Sequence, residues 1–316
     1  MENIDSIIEE HINDIIGDKI PNITFNSLYD IPVYKSKENN ILKRYNKKIL
    51  VISGGGIKGI AIVGALRYLY DSKRLNKIQT YAGTSIGGVL CGLLCMGYTP
   101  KELYKFVTKL DLKKIQRTNF INLLNNYGLD NGDRIETIFK KLIKAKGYDA
   151  DITLKELYDK TKKKLYITGT CLNDKKAYYF SFETDPEMKL STAFRITTSL
   201  PIFFSPVNYK DKLFVDGGCI NNYPMNLFRN ELHEVIGIFS FDETSAVENI
   251  SNPEEFIGSV LQCFLMGLIY DQQIMYNRYT IFIKIENMNF FDLNIDDKCK
   301  EELYQKGYDS AYKLFT

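Results

Sequence analysis

Apolar residues in this chain arrive in short runs that stop on glycine. Lys48-Ile-Leu-Val-Ile-Ser53 places four aliphatic residues between polar ends and halts at Gly54-Gly-Gly56. Short, β-branched and turn-bounded, it predicts a buried strand. Over 57–70 the apolar positions include Ile60, Val63, Ala65, Leu66 and Leu69, the spacing of one helix face. A second strand is expected over 78–82, then a second glycine turn, then a helix over 86–96. Strand, glycine turn and helix, twice over, predict parallel strands in a doubly wound sheet.

Farther along, helical, Lys-rich sequence fills roughly 100–163. Strands over 165–171 and 177–182 flank a turn at Asn173 and Asp174, a helix over 190–198 is ended by Pro201, and strands follow at 213–215 and 235–241. Over 257–270, Ile257, Val260, Leu261, Phe264, Leu265 and Leu268 recur at helical spacing and are assigned to the core. No internal repeat is present. The organisation expected is an accessory lead-in over 1–45 that opens on a weak helix, a catalytic domain over 46–241, and a helical and stranded extension over 242–316 packed on that domain.

Composition changes this picture little. Of 316 residues, 45% are hydrophobic and 25% charged, ordinary for a globular chain. The 41 basic and 39 acidic residues leave a net charge of +2, so there is no global electrostatic case for nucleic acid or for an anionic membrane. Lys160-Thr-Lys-Lys-Lys164 reads as a solvated face. The six cysteines form no C-x-x-C pair and no Cys/His cluster at metal-ligand spacing; Cys91 and Cys95, four apart in an apolar run, read as packing. The opening MENIDSIIEEHINDII is acidic and amphipathic, without the pattern of a signal peptide. Apolar runs over 86–98 and 260–270 are too short and too broken by glycine to span a bilayer. The expectation is an intracellular, cytoplasmic, soluble protein that can make peripheral contact with a membrane.

Candidate chemistry sits in the glycine turns. Ser85, in Gly83-Thr-Ser-Ile-Gly87, follows a strand and precedes a helix, with a glycine two residues to either side. A nucleophile elbow has this arrangement: the turn strains the serine, glycine admits the close chain on each side, and the hydroxyl rises to the partly positive helix N-terminus. A glycine turn with a capping serine is the alternative. Gly54-Gly-Gly-Ile-Lys-Gly59 also joins strand to helix. It matches G-x-G-x-x-G formally, yet the second strand lacks the acidic residue that would hold a ribose. Its bare N–H groups, from Gly54, Gly55 and Gly56, can instead hold an oxyanion. Asp216, in Phe214-Val-Asp-Gly-Gly218, reads as an Asx turn or as a base. His11 lies in the lead-in and His233 in no motif, so a Ser-His-Asp triad has poor candidates. A Ser-Asp dyad needs no histidine: Asp216 would take the Ser85 proton, given hydrogen-bond reach and a pKa raised by a dehydrated site.

In this order the motifs resemble those of the patatin-like phospholipase family, over residues 48–241. The family's oxyanion loop matches Gly54-Gly55-Gly56-Ile57-Lys58-Gly59, its elbow Gly83-Thr84-Ser85-Ile86-Gly87, and its Asp-Gly-Gly/Ala motif Asp216-Gly217-Gly218. Gly128-Leu-Asp-Asn-Gly-Asp-Arg134, Thr197-Thr-Ser-Leu-Pro-Ile-Phe-Phe-Ser-Pro206 and Asn221-Asn-Tyr-Pro224 are similar to further family stretches. The sequence departs at Ser53, where the family usually has Asp, and at Lys58, where Arg is usual; Lys keeps the charge without bidentate phosphate geometry.

The resemblance implies a three-layer α/β/α fold with a mostly parallel sheet and a Ser85–Asp216 dyad. It implies an oxyanion hole at Gly54, Gly55 and Gly56, a substrate contact at Lys58, and motif glycines at Gly59, Gly83, Gly87, Gly217 and Gly218. The activity implied is hydrolysis of fatty-acyl esters of membrane phospholipid or another glycerolipid, without metal or cofactor. An amphipathic or apolar rim, with 100–133 as the candidate stretch, should give lipid access. The alternatives are a neutral acylglycerol lipase, an acyltransferase, a silent lipid-binding homologue and a nucleotide-binding protein.

Overall fold

The computed structural model describes residues 40–43, 46–109, 119–243, 275–286 and 295–316, with Ile250, Phe256, Ser259, Val260, Cys263 and Gln272 between them. These residues belong to a single unit, Ser36–Thr316. Most of the lead-in expected over 1–45, His11 included, and most of the helix expected over 257–270 lie outside the described residues. Val260, assigned to the core from its spacing, is exposed: helical spacing says which residues share a face, not that the face is covered.

β1 (Ile49–Ile52) is aliphatic and buried throughout, as a strand covered on both faces must be. The chain leaves it through Gly54 and Gly55 and a 3-10 turn at Gly56–Lys58, runs as α1 (Gly59–Asp71), returns as β2 (Thr80–Thr84), and turns at Ser85 into α2 (Ile86–Cys95). Next come α3 (Pro100–Lys109), α4 (Phe120–Asn126), β3 (Gly128–Asp130), α5 (Asp133–Ala145) and α6 (Leu154–Thr161), then the hairpin of β4 (Lys164–Cys171) and β5 (Lys176–Phe180). α7 (Leu190–Thr197) leads through β6 (Ile202–Phe204) to the hairpin of β7 (Val207–Tyr209) and β8 (Lys212–Asp216). β9 (Val235–Glu243), β10 (Thr280–Glu286) and α8 (Asp297–Phe315) follow. β2 runs later than the expected 78–82, because Gly83 pairs with Ile52 and Ile167 and so belongs to the ladder rather than the turn.

The main sheet has the order β10-β9-β1-β2-β4-β8-β7, with β5 also on β4. From β10 to β4 all pairs are parallel, and helices flank the sheet, giving the mostly parallel three-layer α/β/α fold. The register of β4 explains the site. One edge pairs with β5 over 167–171. The other edge pairs with β2 over 164–168 and then with β8, running the opposite way, over 169–171. Thr84 lies opposite Thr168 and Asp216 opposite Gly169. The ends of two opposed strands therefore meet head to head along one ladder.

β3 and β6 form a separate parallel pair. Buried Arg195 on α7 ties it down, donating to Asn131 O and Ser205 O at 2.9 Å each, and to Ser199 Oγ. Gly132 takes φ 80° beneath it; a Cβ there would lie 2.0 Å from Arg195 Nε. On the other side, α8 crosses α1 closely. A Cβ on Gly64 would sit 1.9 Å from Tyr304 O, and one on Gly307 1.8 Å from Ala61 O. Among the described residues no helix is long and apolar enough to cross a membrane.

Candidate active site

Ser85 has φ 54° and ψ −131°, a region that non-glycine residues avoid unless their surroundings impose it. Chain packs tightly on both sides: a Cβ on Gly83 would lie 2.5 Å from Gly87 C, and one on Gly87 2.4 Å from Ser53 O. The Ser85 side chain makes no cap bond to α2, so the capping alternative falls away. Its N–H donates to Thr197 Oγ1 at 2.8 Å, and that hydroxyl donates to Thr168 O at 2.7 Å. α7 and β4 thus hold the elbow in its strained form.

Asp216 is buried at the end of β8. Its N–H donates to Ser199 O at 2.9 Å and its Oδ1 accepts the Gly218 N–H at 2.8 Å, and the Ser85 hydroxyl is close enough to act on its carboxylate. The Asx turn is present, and it fixes the carboxylate in place. Burial pushes its pKa up to about 7, against the opposing pull of the bonds from Gly218 and Ser85. The turn is as crowded as the elbow: a Cβ on Gly217 would lie 2.6 Å from Thr168 O, and one on Gly218 3.2 Å from Asp216 Oδ1.

The glycine loop lies against both. Gly54 corrects the expectation that it donates to an oxyanion, because its N–H already donates to Asn222 O at 3.0 Å. Its contribution is steric: a Cβ there would lie 2.3 Å from Asn222 Oδ1 and 3.2 Å from Ser85 Cβ. Among the described residues the N–H groups of Gly55 and Gly56 have no acceptor, and Gly56 turns the chain at φ 53°. Buried Ser240 Oγ, also without a partner there, lies 2.6 Å from where a Gly55 Cβ would be. Lys58 is buried, its N–H closing the turn on Gly55 O at 3.0 Å; it is packed into the loop rather than standing on open surface. Gly59 brings loop and elbow together, since a Cβ there would lie 2.7 Å from Ile86 Cγ1.

His233 is far from this cluster. It lies two residues before the start of β9, whose Val235 pairs with Ile49 at the beginning of β1, whereas Ser85 follows the end of β2. Roughly 15 Å of strand separates the two ends. Among the described residues no three His, Cys, Asp or Glu side chains gather into a metal site. Thr197 and Asn222, two residues that build the site, were legible as members of motifs but not as supports, because their partners lie at the far end of long sequence separations.

The profile of the patatin-like phospholipase family matches residues 50–229, more than half of the chain and inclusive of Ser85, Asp216 and the glycine loop. The chain belongs to the patatin-like phospholipase family. This patatin-like chain is 30% identical to an uncharacterized protein of Acanthamoeba polyphaga mimivirus, over 87% of its own length and 96% of that protein's. It is 33% identical to a probable lipid hydrolase of Invertebrate iridescent virus 6, over 63% of its length and 69% of that protein's. Among solved structures, VipD from Legionella pneumophila has a similar fold, with a TM-score of 0.63 and 16% identity over 85% of this chain and 67% of that one. Patatin-like membership places the chain among lipid hydrolases.

Proposed function

We propose that this chain hydrolyses fatty-acyl ester bonds of glycerophospholipids, with Ser85 as nucleophile and Asp216 as its base. The observation that carries the reading is a serine on a strained elbow close to a buried carboxylate whose pKa is pushed up to about 7. Ser85 Oγ attacks the ester carbonyl while its proton passes to Asp216. The N–H groups of Gly55 and Gly56, with the N-terminal end of α2, stabilise the oxyanion. Asp216 then gives the proton to the departing glycerolipid oxygen, leaving fatty acid esterified to Ser85. Water attacks this acyl-enzyme with Asp216 again as base, and the acid leaves. The 46–241 region holds all of these groups, and the reaction runs at a membrane surface reached from the cytoplasm. Lys58, from within the loop, supplies positive charge toward a phosphate.

A fluorophosphonate probe tests the dyad directly. The wild type should be labelled, and Ser85→Ala and Asp216→Asn should each lose labelling and hydrolysis by about a thousandfold or more while remaining folded. Undiminished labelling of Ser85→Ala rules out this nucleophile, and undiminished labelling of Asp216→Asn rules out this base. Product analysis then separates phospholipid hydrolysis from neutral acylglycerol lipolysis and from acyl transfer to an alcohol.

A further inference from the structure

We propose that α4 and the residue after it, through Phe120, Ile121, Leu124 and Tyr127, dock on a lipid bilayer and present Ser85 to its substrate; the choice of partner rests on the lipid-hydrolase reading above. α4 exposes more apolar surface than an ordinary surface helix does. Its polar Asn122 faces the protein, donating from Nδ2 to Gly128 O at 2.6 Å and to Ser205 Oγ at 3.1 Å. Leu123 is half-buried beside it, but the other large apolar residues face out: Phe120 is 62% exposed, Ile121 70%, Leu124 80%, and Tyr127 65%. No residue of the helix is buried. Single exposed apolar residues are ordinary, whereas large ones gathered on one short helix mark a contact surface.

This exposure is built in. Asn119 Oδ1 accepts the N–H groups of Ile121 and Asn122 at 3.0 and 3.1 Å, and its own N–H donates to Leu129 O at 3.0 Å. Tyr127 closes the helix in the left-handed conformation.

Charge selects the occupant. From Asn119 to Leu129 there is no Asp, Glu, Lys or Arg, in a chain of which 25% is charged. An acyl layer tolerates apolar side chains and rejects charge, while asparagines and a tyrosine hydroxyl rest comfortably at headgroup level.

Position completes the case. Gly128, two residues past α4, pairs with Ile202. Three residues before Ile202, Ser199 O accepts the Asp216 N–H. Chain reach therefore keeps the end of α4 within about 28 Å of Asp216. Ile220, four residues beyond Asp216, is a further exposed apolar residue, at 36%.

The experiment uses the full chain, phosphatidylcholine vesicles and the double variant Ile121→Gln/Leu124→Gln. Wild type should sediment with vesicles, and the variant should partition about tenfold or more weakly and lose vesicle hydrolysis in parallel. Its labelling by soluble fluorophosphonate should be unchanged, which also shows that it is folded. The chain has no tryptophan, so Leu124→Trp makes a single-site reporter whose emission should shift to the blue on vesicles. Equal partitioning of wild type and double variant, absence of wild-type binding, or an unshifted indole emission from Leu124→Trp overturns the proposal. So does a concentration-dependent dimer that the double variant abolishes without altering vesicle binding, since the face would then meet a second copy. If the wild type binds vesicles through this face but resists fluorophosphonate, the dyad reading fails and the docking surface stands.

Discussion

Ser85 holds a backbone conformation that its own side chain disfavours, and Thr197 supplies the restraint through the 2.8 Å bond to its N–H. Thr197→Val keeps the shape and removes the acceptor, leaving an N–H unpaired at about 1–3 kcal/mol. Turnover of a soluble ester should fall about ten- to a hundredfold with KM little changed, and Thr197→Ser should stay near wild type; a change confined to KM would contradict a positioning role. Asp216 must be ionised to act as a base, and burial raises its pKa to about 7. A plot of kcat/KM against pH should therefore climb through an acid limb near 7 and level off above it. A limb near about 4 would mean an ordinary solvated carboxylate. The crowded turns at Ser85 and Asp216 were legible in the sequence because glycines flank both, and crowding is something glycine placement displays. The donor role of Gly54 was misread because its acceptor, Asn222 O, comes from a distant segment that no local pattern reports.

Elements meet here by close approach of backbone. Where α1 crosses α8, Gly64→Ala would drive a Cβ to 1.9 Å from Tyr304 O, and Gly307→Ala to 1.8 Å from Ala61 O. A main-chain oxygen cannot swing aside as a side chain can, so the helices must separate. Each substitution should lower stability by about 1–3 kcal/mol or more, read as a lower urea midpoint. The pair should together cost less than the sum, because one separation relieves both clashes; unchanged midpoints would mean the crossing is not this close. The alternating strands and helices over 48–97 were readable from periodicity, as short apolar runs between glycines are. β3 and β6 were not: three residues each are too few to show a period, and what holds them is buried Arg195 on another element. The orientation of α4 was equally hidden, since its spacing fits a helix with either face inward.

For the molecule as a whole, Asp216 sets function against stability. Its folded pKa, about 7, lies above an unfolded value of about 3.9. Between those pH values the folded chain keeps a proton that the unfolded chain has lost, so this group's contribution is greatest below about 4 and declines as pH rises through about 7. Asp216→Asn cannot ionise. Its Tm should exceed that of wild type at pH 8, and the gap should close toward pH 4, in a calorimetric series; equal Tm at pH 8 would contradict the raised pKa. Inactivation accompanied by stabilisation is the usual mark of a strained functional group.

The head-to-head meeting of β2 and β8 on one edge of β4 has a consequence in time. During synthesis the chain emerges from its N-terminus, so Ser85, the glycine loop and the full length of β4 all precede Asp216. On the proposed mechanism a ribosome-bound chain that has cleared α7 carries a nucleophile with no proton acceptor beside it. At ordinary elongation rates, roughly 5–20 residues per second, the stretch from Thr197 to Asp216 takes on the order of one to four seconds. Strand order thus keeps a lipid-cleaving activity silent through most of its own manufacture.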